Sequence, residues 1–282
     1  MTLDELLREA RDAGVDRLDA QCLAAHHLGR PRAWVLAHGD EPVEPTDASA
    51  LRVILARRAQ GYPLAYLVGE REFHGLTLQV TPDTLIPRPD TETLVEWALE
   101  RLDAWRGSHP DAAPGGPGPQ VLDLGTGSGA IALAIKHGFP AAMVTAVDLS
   151  TAALEVARTN GRHLGLEVQW LHGDWFAPVA GRRFDLIVAN PPYIDAEDPH
   201  LEALRDEPVA ALTPGADGMA ALRQIVRDSP AGLQPGGWLL LEHGFQQAPA
   251  VRQALMEAGY REQCTRHDLA GQPRCTGATW QT

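Results

Sequence analysis

The sequence predicts an α/β protein: a mostly parallel sheet with helices on both faces, preceded by a small helical bundle and a β-hairpin. Three observations predict it. From Gln120 onward, short apolar runs alternate with helical segments, the pattern of a parallel sheet joined by crossover helices. A glycine-rich loop, Gly125 to Gly129, lies between the first of those runs and the first helix, where such sheets bind ligands. Residues 1–62 carry only helical periodicity and can bury their apolar faces only against one another.

In chain order, Leu3, Leu6, Leu7 and Ala10 recur at helical spacing and Gly14 ends that run. Leu18, Cys22, Leu23 and Ala25 suggest a second helix closed near Gly29. Thr46 or Asp47 is expected to cap a third, which carries Leu51, Val53, Ile54 and Leu55 to Gly61. Glu70–Phe73 and Leu76–Val80, joined at His74-Gly75, read as a hairpin. A helix is expected over Thr91–Leu102, then a loop over 107–119 rich in Gly and Pro. Strands follow at Val121–Leu124, Met143–Val147, Val168–Leu171, Phe184–Ala189 and, after the turn Pro235-Gly236-Gly237, Trp238–Glu242. Helices are expected at Ala130–Lys136 and Ala152–Leu164. The expected organisation is a helical substrate-recognition domain over 1–62, a hairpin linker over 63–88 and a cofactor-binding domain over 89–282.

Bulk properties narrow the function. Hydrophobic residues make up 44% and charged residues 22% of the 282, ordinary for a soluble enzyme. No apolar run approaches the roughly 20 residues that cross a bilayer, and Met1 to Glu5 lacks a signal peptide's basic start, so a cytoplasmic location is expected. The net charge of −13 opposes nonspecific binding to nucleic acid, which needs basic surface. The Arg57-Arg58 and Arg182-Arg183 pairs are expected to be solvated. Cys22, Cys264 and Cys275 are scattered and the histidines show no metal spacing, so neither a disulfide framework nor a metal is expected.

Three motifs carry chemistry. Gly125-Thr126-Gly127-Ser128-Gly129 lets the backbone approach a ligand at a helix N-terminus, and Asp148, ending the next strand, can accept from a ribose diol. That layout suits a nicotinamide dinucleotide or S-adenosylmethionine. Gly173-Asp174-Trp175 adds an acid for an adenine amine and an indole for its face. Asn190-Pro191-Pro192-Tyr193 follows the apolar run Phe184–Ala189 directly. Two prolines stop a strand at once and hold Asn190 on a stiff backbone. The Asn190 side-chain carbonyl and the Pro191 carbonyl then offer two acceptors beside an aromatic ring, a receptor for a planar group bearing NH₂. The turn has no role in hydride transfer, which favours S-adenosylmethionine.

With Pro63-Leu64-Ala65-Tyr66-Leu67, Leu85-Ile86-Pro87-Arg88-Pro89-Asp90-Thr91-Glu92 and Asp268-Leu269-Ala270-Gly271-Gln272-Pro273-Arg274 added to these motifs, the chain resembles the protein-glutamine methyltransferases that modify peptide-chain release factors. The likeness covers nearly the whole chain. Asp90 stands where many relatives carry Glu. The resemblance implies a Rossmann-like class I methyltransferase sheet with a small N-terminal helical bundle joined by a β-hairpin linker. It implies methyl transfer from S-adenosyl-L-methionine to the glutamine amide nitrogen of a release factor's Gly-Gly-Gln motif. Gly125, Thr126, Gly127, Ser128, Gly129, Asp148, Trp175 and Asn190 would then hold the cofactor, and Asn190, Pro191, Pro192 and Tyr193 the glutamine.

Asn190, Pro191 and Tyr193 are the expected catalytic residues. The first two would accept the two amide N–H groups and Tyr193 would pack on the amide plane; Asn190 orients and is not a base. Arg88 and Glu92 are expected either to shape a lid or to cap a helix and pair with each other. The partner the resemblance implies is a release factor, and the chain is expected to act as a monomer with no membrane and no direct nucleic-acid binding. The alternative is an adenine amino-methyltransferase acting on DNA or RNA, with the same turn holding an extruded base. A catalytically silent cofactor-binding module and a nicotinamide oxidoreductase stand further off.

Overall fold

A computed structural model describes residues 1–109, 118–215 and 217–281. The chain divides into two compact units, Met1–Glu70 and Arg71–Thr282. The first is helical: α1 (Leu3–Asp12), α2 (Arg17–Leu28), α3 (Arg32–Ala37), α4 (Pro45–Ala59) and α5 (Leu64–Val68). A capping box opens α1, with the Glu5 N–H donating to Thr2 Oγ1 at 3.3 Å and the Thr2 N–H to Glu5 Oε2 at 2.9 Å. Gly29 closes α2 in the left-handed conformation. Leu3, Leu6, Leu23, Leu51 and Leu55 form the core of this unit.

The sequence pattern misplaces one start and misses two elements here. α4 begins at Pro45 behind Glu44, ahead of Thr46 and Asp47, because proline suits the first helical turn, where an N–H has no partner anyway. The short helices α3 and α5 complete too few turns to show a period. Arg57 is exposed, as expected, and lies 3.9 Å from the Tyr62 ring centroid; Arg58, also expected to be solvated, is half-buried and donates to Asp19 at 2.7 Å.

The hairpin strands are β1 (Glu70–Phe73) and β2 (Leu76–Gln79). Its two-residue loop puts His74 at φ 49° and Gly75 at φ 77°, the mirror-image turn that matches strand twist. The His74 N–H donates to Glu92 Oε1 at 3.1 Å.

The second unit continues through a 3₁₀ turn at Pro89–Thr91, α6 (Glu92–Ser108), β3 (Gln120–Leu124), α7 (Ala130–Gly138), β4 (Met143–Asp148), α8 (Thr151–Leu164), β5 (Gln169–His172) and β6 (Phe184–Ala189). It ends with α9 (Val209–Leu212), α10 (Ala220–Asp228), β7 (Leu233–Glu242), α11 (Ala248–Glu257), β8 (Arg261–His267) and β9 (Pro273–Thr279). The sheet order is β5-β4-β3-β6-β7-β9-β8. The first five strands pair in parallel, and β9 runs antiparallel to both neighbours. The chain leaves β3 toward β5 and returns on the other side at β6. The carboxyl ends of β3, β4 and β6 therefore flank the switch point where such sheets take ligands.

Alternation along the strands feeds two cores. Val121, Leu186, Val188 and Leu240 pack with α6 and α7; Leu122, Leu124, Ile187, Ala189, Leu239 and Leu241 pack with α10 and α11. Phe184–Ala189 matches its expected bounds. The Pro235-Gly236-Gly237 turn instead lies within β7, where the pairing with β6 slips between Phe184 and Leu186. Arg183 is exposed, as expected, while donating to the Leu233 carbonyl; Arg182 is half-buried and donates to Gln169 and Thr145 at 2.9 Å. Of the expected loop over 107–119, residues 110–117 lie outside the described residues, and 107–108 continue α6. No described helix is long and apolar enough to cross a membrane.

Candidate active site

The glycine loop is fastened to the end of β4. The Gly125 and Thr126 N–H groups both donate to the Val147 carbonyl, at 2.9 and 3.1 Å. Gly125 and Gly127 sit at φ 73° and 56°, a region where a β-carbon costs about 1–2 kcal/mol. That puts the Gly127 N–H on Asp148 Oδ2 at 2.7 Å, while the Ser150 N–H reaches Oδ1 at 2.8 Å. Both bonds favour the carboxylate, but burial outweighs them and raises the Asp148 pKa. Gly129 begins α7. Ser128 is buried, and its carbonyl accepts from Asn160 at 2.9 Å.

Beneath the loop lies Asp123, fully buried in β3. Burial pushes its carboxyl up to about 7, against the Thr126 hydroxyl that donates to Oδ2 at 2.6 Å. Among the described residues, Oδ1 has no partner.

A cavity of about 380 Å³ opens over these strand ends. Gly125, Gly127 and Asp148 line one side; Gly173, Asp174 and Trp175 line another; Asn190 and Pro192 reach it from the end of β6. Trp175 stands at φ 40°, a conformation unusual for a bulky residue and one found mostly where a site demands it. Its ring edge would lie 3.5 Å from a β-carbon on Gly125, an ordinary contact, so that glycine is needed for its dihedral and not for space. The remaining wall comes from Asp83 to Leu85 and from Pro208, Ala210 and Ala211.

The tetrapeptide is held from behind. The Asn190 Nδ2 donates to Thr91 Oγ1 at 3.4 Å, which leaves its carbonyl oxygen for the cavity. Pro191 is buried. The Tyr193 carbonyl accepts from Gln247 Nε2 at 2.9 Å, and the Ile194 N–H donates to the Leu212 carbonyl at 3.0 Å. Tyr193 is not on the cavity wall: its hydroxyl donates to Glu242 Oε1 at 3.1 Å and its ring packs against the second core. Burial, with the Glu242 charge, holds the phenol above its usual pKa. Glu242 is itself buried, and burial raises its carboxyl to about 7, against the hydroxyls of Thr91 and Tyr193 and the charge of Arg274.

Three ion pairs, made by two arginines, tie together segments around the site. Arg88 and Glu92 do not pair with each other. Arg88 instead bridges the buried Glu207, whose other oxygen accepts the Ile86 N–H at 3.1 Å, so the walls at 83–85 and 208–211 are joined. Arg274 bridges Asp268 at 2.9 Å and Asp90 at 3.1 Å. The Pro-Arg-Pro-Asp segment and the Asp268–Arg274 segment, far apart in sequence, are one ionic cluster.

Two family models match: the PrmC N-terminal domain over residues 3–69, and the methyltransferase small domain over 113–258. The release factor glutamine methyltransferase of Bordetella pertussis is 52% identical over 269 residues, covering 94% of this chain and 96% of that one. The chain belongs to the release factor glutamine methyltransferases. The Escherichia coli relative of that name is 43% identical over 277 residues, covering 97% and 96%. In structure, a methyltransferase from Pyrococcus furiosus shares the fold with a TM-score of 0.52 at 17% identity, over 74% of this chain and 90% of that one.

The chain is thus an enzyme of the class I methyltransferase fold. Several of its site residues escaped sequence reasoning. Asp123 could have been found from sequence, as the acid two residues ahead of the glycine loop. Glu207, Glu242 and the wall at Pro208–Ala211 sit in no motif, and only the fold brings them in.

Proposed function

We propose that the chain transfers a methyl group from S-adenosyl-L-methionine to the side-chain amide nitrogen of the glutamine in the Gly-Gly-Gln motif of peptide-chain release factors. The observation that carries this reading is that Asn190 and Pro192 line the same cavity as Gly125, Gly127, Asp148 and Trp175. An amide receptor therefore opens directly onto a nucleoside-sized site. The names of the relatives supply the substrate.

The residues fit that cofactor. A cavity of about 380 Å³ is within the usual range for a small-molecule site. Asp148 keeps lone pairs for a ribose diol beyond the two N–H groups it already accepts. Trp175 offers an apolar face, and Asp174 can accept from an adenine amine. When bound, the cofactor supplies an electrophilic methyl group next to a positively charged sulfur.

The protein's own part is orientation. An amide nitrogen is a weak nucleophile because its lone pair is delocalised into the carbonyl. Asn190 Oδ1 and the Pro191 carbonyl accept the two amide N–H bonds, which fixes the nitrogen's approach and favours the positive charge that develops there. Alignment within roughly 3–3.5 Å supplies most of the remaining rate. No side chain of the tetrapeptide acts as a base, and the proton leaves to solvent. Tyr193, with its hydroxyl on Glu242, serves in this reading as a support for the turn. The net charge of −13 favours a protein substrate over a polyanion. Asn190→Ala is expected to abolish turnover while calorimetry still registers cofactor binding; an active Asn190→Ala enzyme defeats the proposal.

A further inference from the structure

We propose that Gln247 is a positioning residue for methyl transfer: its side-chain amide holds the Tyr193–Ile194 peptide, and through it the Pro191 carbonyl that receives the substrate. The inference rests on the amide-receptor reading of Asn190 and Pro191 given above. The turn has few ways to fix its own backbone, because neither Pro191 nor Pro192 has an N–H to donate. Upstream it is anchored where Ala189 pairs with Leu124 and Leu241. Downstream the Tyr193–Ile194 peptide is gripped at both ends. Its carbonyl accepts from Gln247 Nε2 at 2.9 Å, and its N–H donates to the Leu212 carbonyl at 3.0 Å.

Gln247 is half-buried, immediately ahead of α11. Its Nε2 also donates to the Gly218 carbonyl at 3.4 Å, and its Oε1 accepts the Gly244 N–H at 2.8 Å. A backbone N–H only donates and a backbone carbonyl only accepts. One orientation of the amide therefore satisfies all three bonds, and it puts the NH₂ on Tyr193. The loop at Gly218 tightens the grip. Gly218 stands at φ 58°, and a β-carbon there would lie 2.7 Å from the Tyr193 carbonyl oxygen, closer than a side chain can come. The Tyr193 carbonyl thus sits in a fitted slot beside the Gln247 amide and the Gly218 backbone. Between that slot and the Pro191 carbonyl lies a proline whose φ is locked, so a shift of the Tyr193 peptide is passed on to Pro191 with little to absorb it. Gln247 itself is not on the cavity wall.

Glutamate and lysine separate the two halves of this amide. Gln247→Glu keeps the acceptor for Gly244 and loses the donor for Tyr193; Gln247→Lys does the reverse. The test assays both full-length variants on an intact release factor, with calorimetry for S-adenosylmethionine. Gln247→Glu is expected to lose kcat by about 100-fold, the scale of a 1 Å misplacement at a reacting centre, with release-factor KM and cofactor affinity little changed. Gln247→Lys is expected to retain most of the wild-type kcat. A residue that merely closes the loop at Gly244 gives the opposite order. If Gln247→Glu turns over like the wild type, or Gln247→Lys is the slower of the two, while Asn190→Ala is dead, the inference is overturned and the role of Asn190 survives. If Asn190→Ala is itself active, the underlying reading has failed and the inference falls with it. Should Gln247→Glu not fold, Gln247→Met takes its place: without a donor it should be as slow, and a wild-type kcat there overturns the inference.

Discussion

Replacing Asp123 by asparagine should remove a measurable part of the protein's pH-dependent stability. Asp123 is fully buried, and its carboxyl is raised from 3.8 to about 7, by burial first and by the Asp148 charge as well, against the bond from Thr126. The folded state thus holds the proton more tightly than the unfolded chain. Its contribution is fully present below pH 3.8, declines as pH rises, and is gone above about 7. A shift of about 3 units corresponds to about 4 kcal/mol in all. Of this, about 2.5 kcal/mol falls between pH 5 and pH 8, since near pH 5 the unfolded carboxyl is already ionised and the folded one is not. Asparagine keeps the shape, still accepts from Thr126 and does not titrate. Urea unfolding of wild type and Asp123→Asn at pH 5 and pH 8 reads the effect directly. The variant should gain about 2.5 kcal/mol relative to wild type across that interval. Parallel pH dependences for the two proteins would refute the reasoning, because they would mean that Asp123 is ionised, or protonated, in both states throughout.

Other predictions follow from the same geometry. Arg88→Ala leaves the buried Glu207 carboxylate without its cation and should cost about 2–3 kcal/mol in urea unfolding. It should also weaken cofactor binding by loosening the two walls, and Glu207→Gln, which can keep the Ile86 bond, should cost less. Trp175→Ala removes the indole from the cavity wall and should raise the cofactor Kd about tenfold, or about 1.4 kcal/mol by calorimetry, with little change in release-factor KM.

How far the molecule was legible depended on whether a signal was local. Phe184–Ala189 could be bounded from sequence because an apolar run met two prolines, which no strand continues through. The glycine loop could be placed because its positive dihedrals at 125 and 127 demand glycine. β9 could not: Pro273–Thr279 contains two threonines, a glycine and a cysteine, and it is a strand only because β7 and β8 flank it. α10 carries a helical stripe at Leu222, Ile225 and Val226, but its start at Met219 has no side-chain cap to mark it. Within the site, the cavity-facing motifs announced themselves, whereas the network behind Asn190 did not. Thr91, Glu242 and Arg274 lie on three separate elements, and the pairing of Glu242 with Cys275 in β7 and β9 brings the last two together. Tyr193 illustrates the limit. Its place beside Asn190 in sequence suggested a ring on the substrate, but the hydroxyl's bond to Glu242 turns it into the supporting layer.

The central claim is that one glutamine amide is the methyl acceptor, and mass spectrometry of a purified release factor incubated with the enzyme and S-adenosylmethionine tests it most directly. The account predicts the mass gain of a single methyl group, confined to the peptide containing Gly-Gly-Gln and absent with Asn190→Ala. A methyl group on any other peptide, or an unmodified factor beside methylated nucleic acid, would contradict it.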